Sequence, residues 1–93
     1  MTLERDIEKA LCKRVKELKG LCEKFRSPEK RSVPDRIITL RSNRIIFVEL
    51  KAPGKDATKP QKRDHNKRRA LGCTVMVIDS LEQINLFPEE VKK

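Results

Sequence analysis

Two β-branched runs, Arg36-Ile37-Ile38-Thr39-Leu40 and Ile45-Ile46-Phe47-Val48-Glu49-Leu50-Lys51, flank the turn sequence Arg41-Ser42-Asn43-Arg44. Such a pattern folds back on itself as an antiparallel hairpin. Side chains alternate faces along a strand, so Glu49 and Lys51 share one face while Val48 and Leu50 point into the opposite layer. Charge on one face and apolar side chains on the other fix which way the hairpin must pack. Antiparallel pairing also carries Asp35, just before the first strand, to a position beside Glu49, near the end of the second. Pro34-Asp35 and Glu49-Leu50-Lys51 thus converge although they are separated in the chain.

The remaining segments supply the layers around this hairpin. Residues 2–19 read as a helix with Thr2 as N-cap, Glu4 and Asp6 in the first turn and Gly20 as its stop. Leu3, Ile7, Leu11, Val15, Leu18 and Cys22 recur at helical spacing and form a stripe suited to covering a sheet. Weak alternation over residues 21–27 predicts a short edge strand ended by Pro28, followed by a polar loop to Pro34. After the Ala52-Pro53-Gly54 break, Thr58 or Asp56 caps a second helix from Lys59 to Leu71, with Pro60 in its first turn and Gly72 beyond its end. Cys73 to Ile78 is an apolar run suited to a strand covered on both faces, and Ser80 opens a last short helix. The order α-β-β-β-α-β, with that short helix after it, implies an α/β fold: a mixed sheet flanked by helices.

Ninety-three residues are expected to form a single domain, 1–93. Twenty-three Lys and Arg against fourteen Asp and Glu leave a net charge of +9, which favours a polyanionic partner such as DNA or RNA. No apolar run approaches the roughly 18 residues of a membrane span, and no secretory leader is evident, so an intracellular, non-membrane protein is expected. Cys12, Cys22 and Cys73 lack the spacing of a zinc knuckle or a disulfide framework and read as small apolar residues.

Asp35, Glu49 and Lys51 together fit phosphodiester hydrolysis. Two carboxylates and the carbonyl of Leu50 are hard oxygen ligands for a divalent ion such as Mg²⁺ or Mn²⁺. A site built only for binding does not need Lys51, whose ammonium can orient water or neutralise charge developing at phosphorus.

On these residues the chain resembles the PD-(D/E)xK nuclease superfamily, and within it the virus-type replication-repair nuclease (VRR-NUC) domains. The resemblance runs from Glu4-Arg5-Asp6-Ile7 through Val33-Pro34-Asp35-Arg36-Ile37-Ile38, Phe47-Val48-Glu49-Leu50-Lys51-Ala52-Pro53-Gly54-Lys55, Gln61 and Leu71-Gly72-Cys73-Thr74-Val75. It implies a small restriction-endonuclease-like core and a metal-dependent, structure-selective DNA endonuclease. It further implies Asp35 and Glu49 as metal-binding acids, Lys51 as catalytic lysine, and Gln61 as a catalytic-site glutamine holding Lys51 or water. An acid of the first helix joins the metal shell, either Glu4 or Glu8; Glu4 is favoured because Glu4-Arg5-Asp6-Ile7 resembles the resolvase helix. Similarity to archaeal Holliday junction resolvases implies a homodimer acting on four-way junctions, and a phage or mobile-element source, hence a host cytoplasm. Ser32 stands where relatives often carry glycine, a departure that leaves the ligands untouched.

The bland readings are a Pro-Asp turn, a Glu-x-Lys ion pair on a strand and first-turn acids that merely suit the helix dipole. Lys55, Lys59, Lys62, Arg63, Lys67, Arg68 and Arg69 read as a DNA-phosphate-binding face, against the alternative of a solvated helix. His65, the only histidine, reads as a further phosphate contact rather than a general base. Three Phe and no Trp or Tyr argue against a single-strand stacking platform. Two other functions fit the same residues: a basic architectural protein that binds branched nucleic acid without cutting it, and a flap- or nick-directed nuclease subunit that needs a partner.

Overall fold

A computed structural model describes residues 1–90. Its elements are α1 (Glu4–Glu17), β1 (Leu21–Lys24), β2 (Arg36–Leu40), β3 (Arg44–Leu50), α2 (Lys59–Ala70), β4 (Thr74–Ile78) and α3 (Leu81–Leu86). They form a mixed sheet in the order β1-β2-β3-β4, antiparallel except for the β3–β4 pair. This is the α-β-β-β-α-β layering expected from the sequence. No helix among the described residues is long and apolar enough to cross a membrane.

The hairpin forms as its alternation requires, with Arg36 opposite Val48 and Leu40 opposite Arg44. Ser42 and Asn43 both take positive φ in the turn, a conformation that asparagine tolerates well. Ile38, Ile46, Val48 and Leu50 bury one face against Ile7, Leu11 and Val15 of α1, with Ile84 of α3 and Phe87 completing the layer. The opposite face meets α2 through Phe47 and Glu49.

The first helix begins and ends differently from expectation. Its N-cap is Leu3 rather than Thr2. Leucine has no side-chain acceptor, so the end is secured from inside: Asp6 accepts the Leu3 N–H at 2.8 Å, the reciprocal half of a capping box. At the C-terminus Lys19, not Gly20, adopts the left-handed conformation (φ 62°). Lys19 N–H donates to Lys16 O and Gly20 N–H to Val15 O, the two bonds of a Schellman motif. Gly20 serves a different need, because a Cβ there would lie 2.6 Å from the Thr39 carbonyl oxygen and 2.7 Å from Leu40 Cδ2. Helix and sheet meet at this point with no room for a side chain.

The second helix follows the sequence closely. Thr58, not Asp56, is its cap: Thr58 Oγ1 accepts from Gln61 N–H, and Gln61 Oε1 accepts from Thr58 N–H. Gly72 follows with φ 92°. The last strand starts at Thr74 rather than Cys73 and lies on the sheet's edge. Val75, Met76 and Ile78 are nevertheless buried, as both faces are covered. Its outer rim is closed by side chains, with Arg69 donating to Val75 O (2.9 Å) and Gln83 to Val77 O (3.3 Å).

Cys12 and Cys22 face each other from α1 and β1, their sulfurs 3.1 Å apart and half-buried as free thiols. Burial, and then the hydrogen bond with Cys12, pushes the Cys22 thiol up to about 12, so it stays protonated.

Candidate active site

The hairpin register brings the two carboxylates together. Asp35 precedes β2, its carbonyl pinned by Phe25 N–H at 2.9 Å, and its Oδ2 accepts the Leu50 N–H at 2.8 Å. This bond closes the end of the β2–β3 ladder with a side chain. Glu49 lies on the α2 face of β3 and is 1% exposed. Burial, then a hydrogen bond with Asp35 and the charge of Asp35, pushes its carboxyl up to about 8 from the ordinary 4.5, with Lys51 opposing the shift and Glu4 adding to it. Two acids so placed cannot both ionise without added positive charge.

Lys51 sits just beyond β3, its backbone N–H bonded to Ile78 O, so the parallel β3–β4 pairing fixes where the side chain starts. Its ammonium reaches to 4.0 Å from Glu49 Oε2. Gln61, in the first turn of α2, donates to the same Oε2 at 3.3 Å. The resemblance implied that this amide holds Lys51 or water. Instead its carbonyl is taken by the helix cap and its NH₂ by Glu49, which makes Gln61 a residue that aims the carboxylate.

His65 corrects the sequence reading most directly. It is 1% exposed and projects from α2 towards Glu49, with Nε2 3.5 Å from Oε1, so it cannot be a surface phosphate contact. Burial, then the charge of Arg69, holds its pKa below the ordinary value despite Asp64, with Lys51 and Arg68 acting in the same sense as Arg69. The imidazole is therefore neutral. Glu49 Oε1 and His65 Nε2 are buried without a hydrogen-bond partner. A signal for this lay in the spacing: Gln61, His65 and Arg69 recur every fourth residue and share a helix face.

The basic helix divides into two. Lys59, Arg63 and Lys67 are exposed at fourth-residue spacing, as is Lys55 before the helix. Lys62 is paired with Asp56 at 2.8 Å. Arg68 is not a free phosphate ligand: its guanidinium donates to buried Asp64 at 2.8 and 3.4 Å and lies 5.0 Å over the rings of both Phe25 and Phe47. Arg69 is spent on the β4 rim. Burial alone would raise Asp64, but the hydrogen bond and charge of Arg68, with Lys30 adding, hold it below the ordinary range.

The two candidate helix acids also differ. Glu4 is exposed, and its charge is felt at Glu49. Glu8 is committed to Arg36, at 3.3 Å. Among the described residues no three Asp, Glu, His or Cys side chains cluster tightly enough to cage an ion alone. Asp35 and Glu49 still fit a hard divalent cation: both are oxygen donors, Glu49 Oε1 is orphaned, and the raised carboxyl marks a deficit of positive charge.

No family model matches the chain. It is 45% identical over 85 residues to a protein described as "Putative nuclease p44" from Acyrthosiphon pisum secondary endosymbiont phage 1, covering 91% of each chain. A solved structure described as a VRR_NUC domain superposes with a TM-score of 0.86 at 29% identity, covering 92% of this chain and 94% of the other.

Proposed function

The chain belongs to the VRR-NUC nuclease family, and from that membership we propose that it is a divalent-metal-dependent DNA endonuclease that resolves branched DNA, four-way junctions first among them, as a homodimer. The observation that carries the metal-dependent chemistry is the buried Asp35–Glu49 pair, hydrogen-bonded, short of positive charge and with Lys51 beside it.

Asp35, Glu49, the Leu50 carbonyl and one α1 acid are the groups that would hold Mg²⁺ or Mn²⁺. Leu50 turns its N–H to Asp35, and in a strand the carbonyl of a residue faces the same side as its N–H. Glu4 is the better α1 candidate, because Glu8 is engaged by Arg36. When bound, the ion supplies charge neutralisation on phosphate oxygens and a lowered pKa for water. The protein's own part is positional: Gln61 orients Glu49, and Lys51 places an ammonium where negative charge develops at phosphorus.

The junction and dimer parts rest on the resemblance to Holliday junction resolvases. One chain carries one such site, and paired cuts across a junction require two sites related by a two-fold axis. The phage relative supports a place in a host cytoplasm.

The test is cleavage of a labelled four-way junction beside duplex and flap controls, with Mg²⁺, with Mn²⁺ and with chelator. Folded Asp35→Ala and Lys51→Ala variants accompany the wild-type chain, and mass is measured at working concentration. Paired, metal-dependent cuts lost by roughly 10²-fold or more in both variants are expected. Cuts on flaps alone would move the substrate, and a monomer that still resolves junctions would remove the dimer. Binding without cutting under any metal would leave an architectural protein.

A further inference from the structure

The DNA-phosphate face expected on α2 is depleted by internal pairing of Lys62, Arg68 and Arg69, but a second group of cations converges elsewhere. A cleft of about 430 Å³ opens between α1 and the loop joining β1 to β2, with Asp35 on its wall. Lys24, Arg26, Lys30 and Arg31 line it. The other acid on its lining, Glu8, is neutralised by Arg36. Lys24, Arg26 and Arg31 are exposed and make no ion pair among the described residues.

The loop is held in place from beneath. Phe25 N–H bonds to Asp35 O at its base. The Phe25 ring packs 5.7 Å from Phe47 with Arg68 lying over both. Lys30 reaches Asp64 at 3.5 Å, and Val33 and Pro34 are buried. The cations therefore sit on a scaffold anchored to α2 and β3, continuous with the candidate active site through Asp35.

We propose that this cleft seats the sugar–phosphate backbone of the substrate DNA adjoining the scissile position. The inference rests on the nuclease reading above and deepens it by naming the contact surface. Charge decides the occupant: three unpaired cations beside a carboxylate centre match a chain of phosphates that delivers one phosphodiester to Asp35 and Glu49. Contacts of this kind fix register and orientation and carry little base information.

The experiment is equilibrium binding of the full-length chain to a fluorescent four-way DNA junction in chelator, from about 50 to 200 mM salt. An Arg26→Ala/Arg31→Ala variant is compared with a Lys59→Ala/Arg63→Ala/Lys67→Ala variant of the α2 face, after matching thermal unfolding. The cleft variant is expected to bind roughly 10-fold or more weakly at the lower salt, with the log–log salt slope reduced by about one unit per lost contact. Arg26→Lys/Arg31→Lys should restore most of both, since phosphate accepts a point charge. Affinity and slope unchanged in the cleft double variant would overturn the proposal, whatever the α2 variant does. Cleavage is not read, so loss of the nuclease reading would leave this outcome legible by itself.

Discussion

Glu49 Oε1 and His65 Nε2 lie 3.5 Å apart on two side chains that are almost wholly removed from solvent, and no other group bonds to either atom. With Gln61 on the other oxygen, two residues one helical turn apart clasp a single carboxylate. The geometry of Glu49 is thus set by α2 rather than by its own strand.

Removing that second contact should therefore disturb divalent-ion use more than folding. His65→Leu is expected to lower Mn²⁺ affinity or activity by roughly 10–100-fold, the usual cost of losing a partner of a metal ligand. His65→Gln, which can still offer an N–H, should recover part of it. Ion titrations read both by cleavage and by thermal shift check this, and a wild-type titration for His65→Leu would refute it.

Metal-free stability should depend on pH with a definite sign. Glu49 in the folded chain keeps its proton to about 8, against an ordinary 4.5. Its contribution is complete below the lower value and lost as pH rises through the upper. His65 acts oppositely, its pKa lowered from 6.5, so its contribution is lost as pH falls below that value. Between pH 6.5 and 8 only the Glu49 effect operates. The unfolding temperature should fall across that window in chelator, and Glu49→Gln should flatten the fall. A Glu49→Gln profile parallel to the wild-type one would contradict the assignment.

Arg68 should prove structural. Arg68→Ala strands buried Asp64 and uncovers two aromatic rings, costing about 3 kcal/mol in urea unfolding. Arg68→Met combined with Asp64→Asn should cost less than the single change, because no buried charge is left unpaired. A loss below about 0.5 kcal/mol for Arg68→Ala would place the side chain among dispensable surface groups.

At Gly20 the smallest possible addition should be felt. Gly20→Ala puts a methyl 2.6 Å from the Thr39 carbonyl oxygen, and relief by backbone shift costs about 1–3 kcal/mol. Lys19→Gly, at the neighbouring left-handed position, should be neutral or stabilising. Equal effects of the two would show that conformation rather than space governs this corner.

The hairpin, both long helices and the meeting of Asp35 with Glu49 were legible because alternation, turn chemistry and capping residues act locally. What escaped depends on contacts between segments. Gly20 reads as a helix stop, yet its constraint comes from the Thr39 carbonyl on another element. His65 reads as solvated amid cations, and only the sheet beneath α2 shows that its face is inward. Arg68 likewise resembles its neighbours until Asp64, Phe25 and Phe47 surround it. Lys24, Arg26, Lys30 and Arg31 follow no helical or strand period, so nothing short of the folded loop gathers them.

The sealed rim of β4 bears on assembly. An open edge strand invites a foreign strand to extend the ladder, whether from a sister molecule or from a growing fibril. Here the outward carbonyls of Val75 and Val77 already have donors in Arg69 and Gln83. Continuous sheets across two copies are disfavoured on this side, and a two-fold pair would have to be made from side-chain surfaces or the β1 edge. Arg69 and Gln83 thereby act as safeguards against runaway polymerisation.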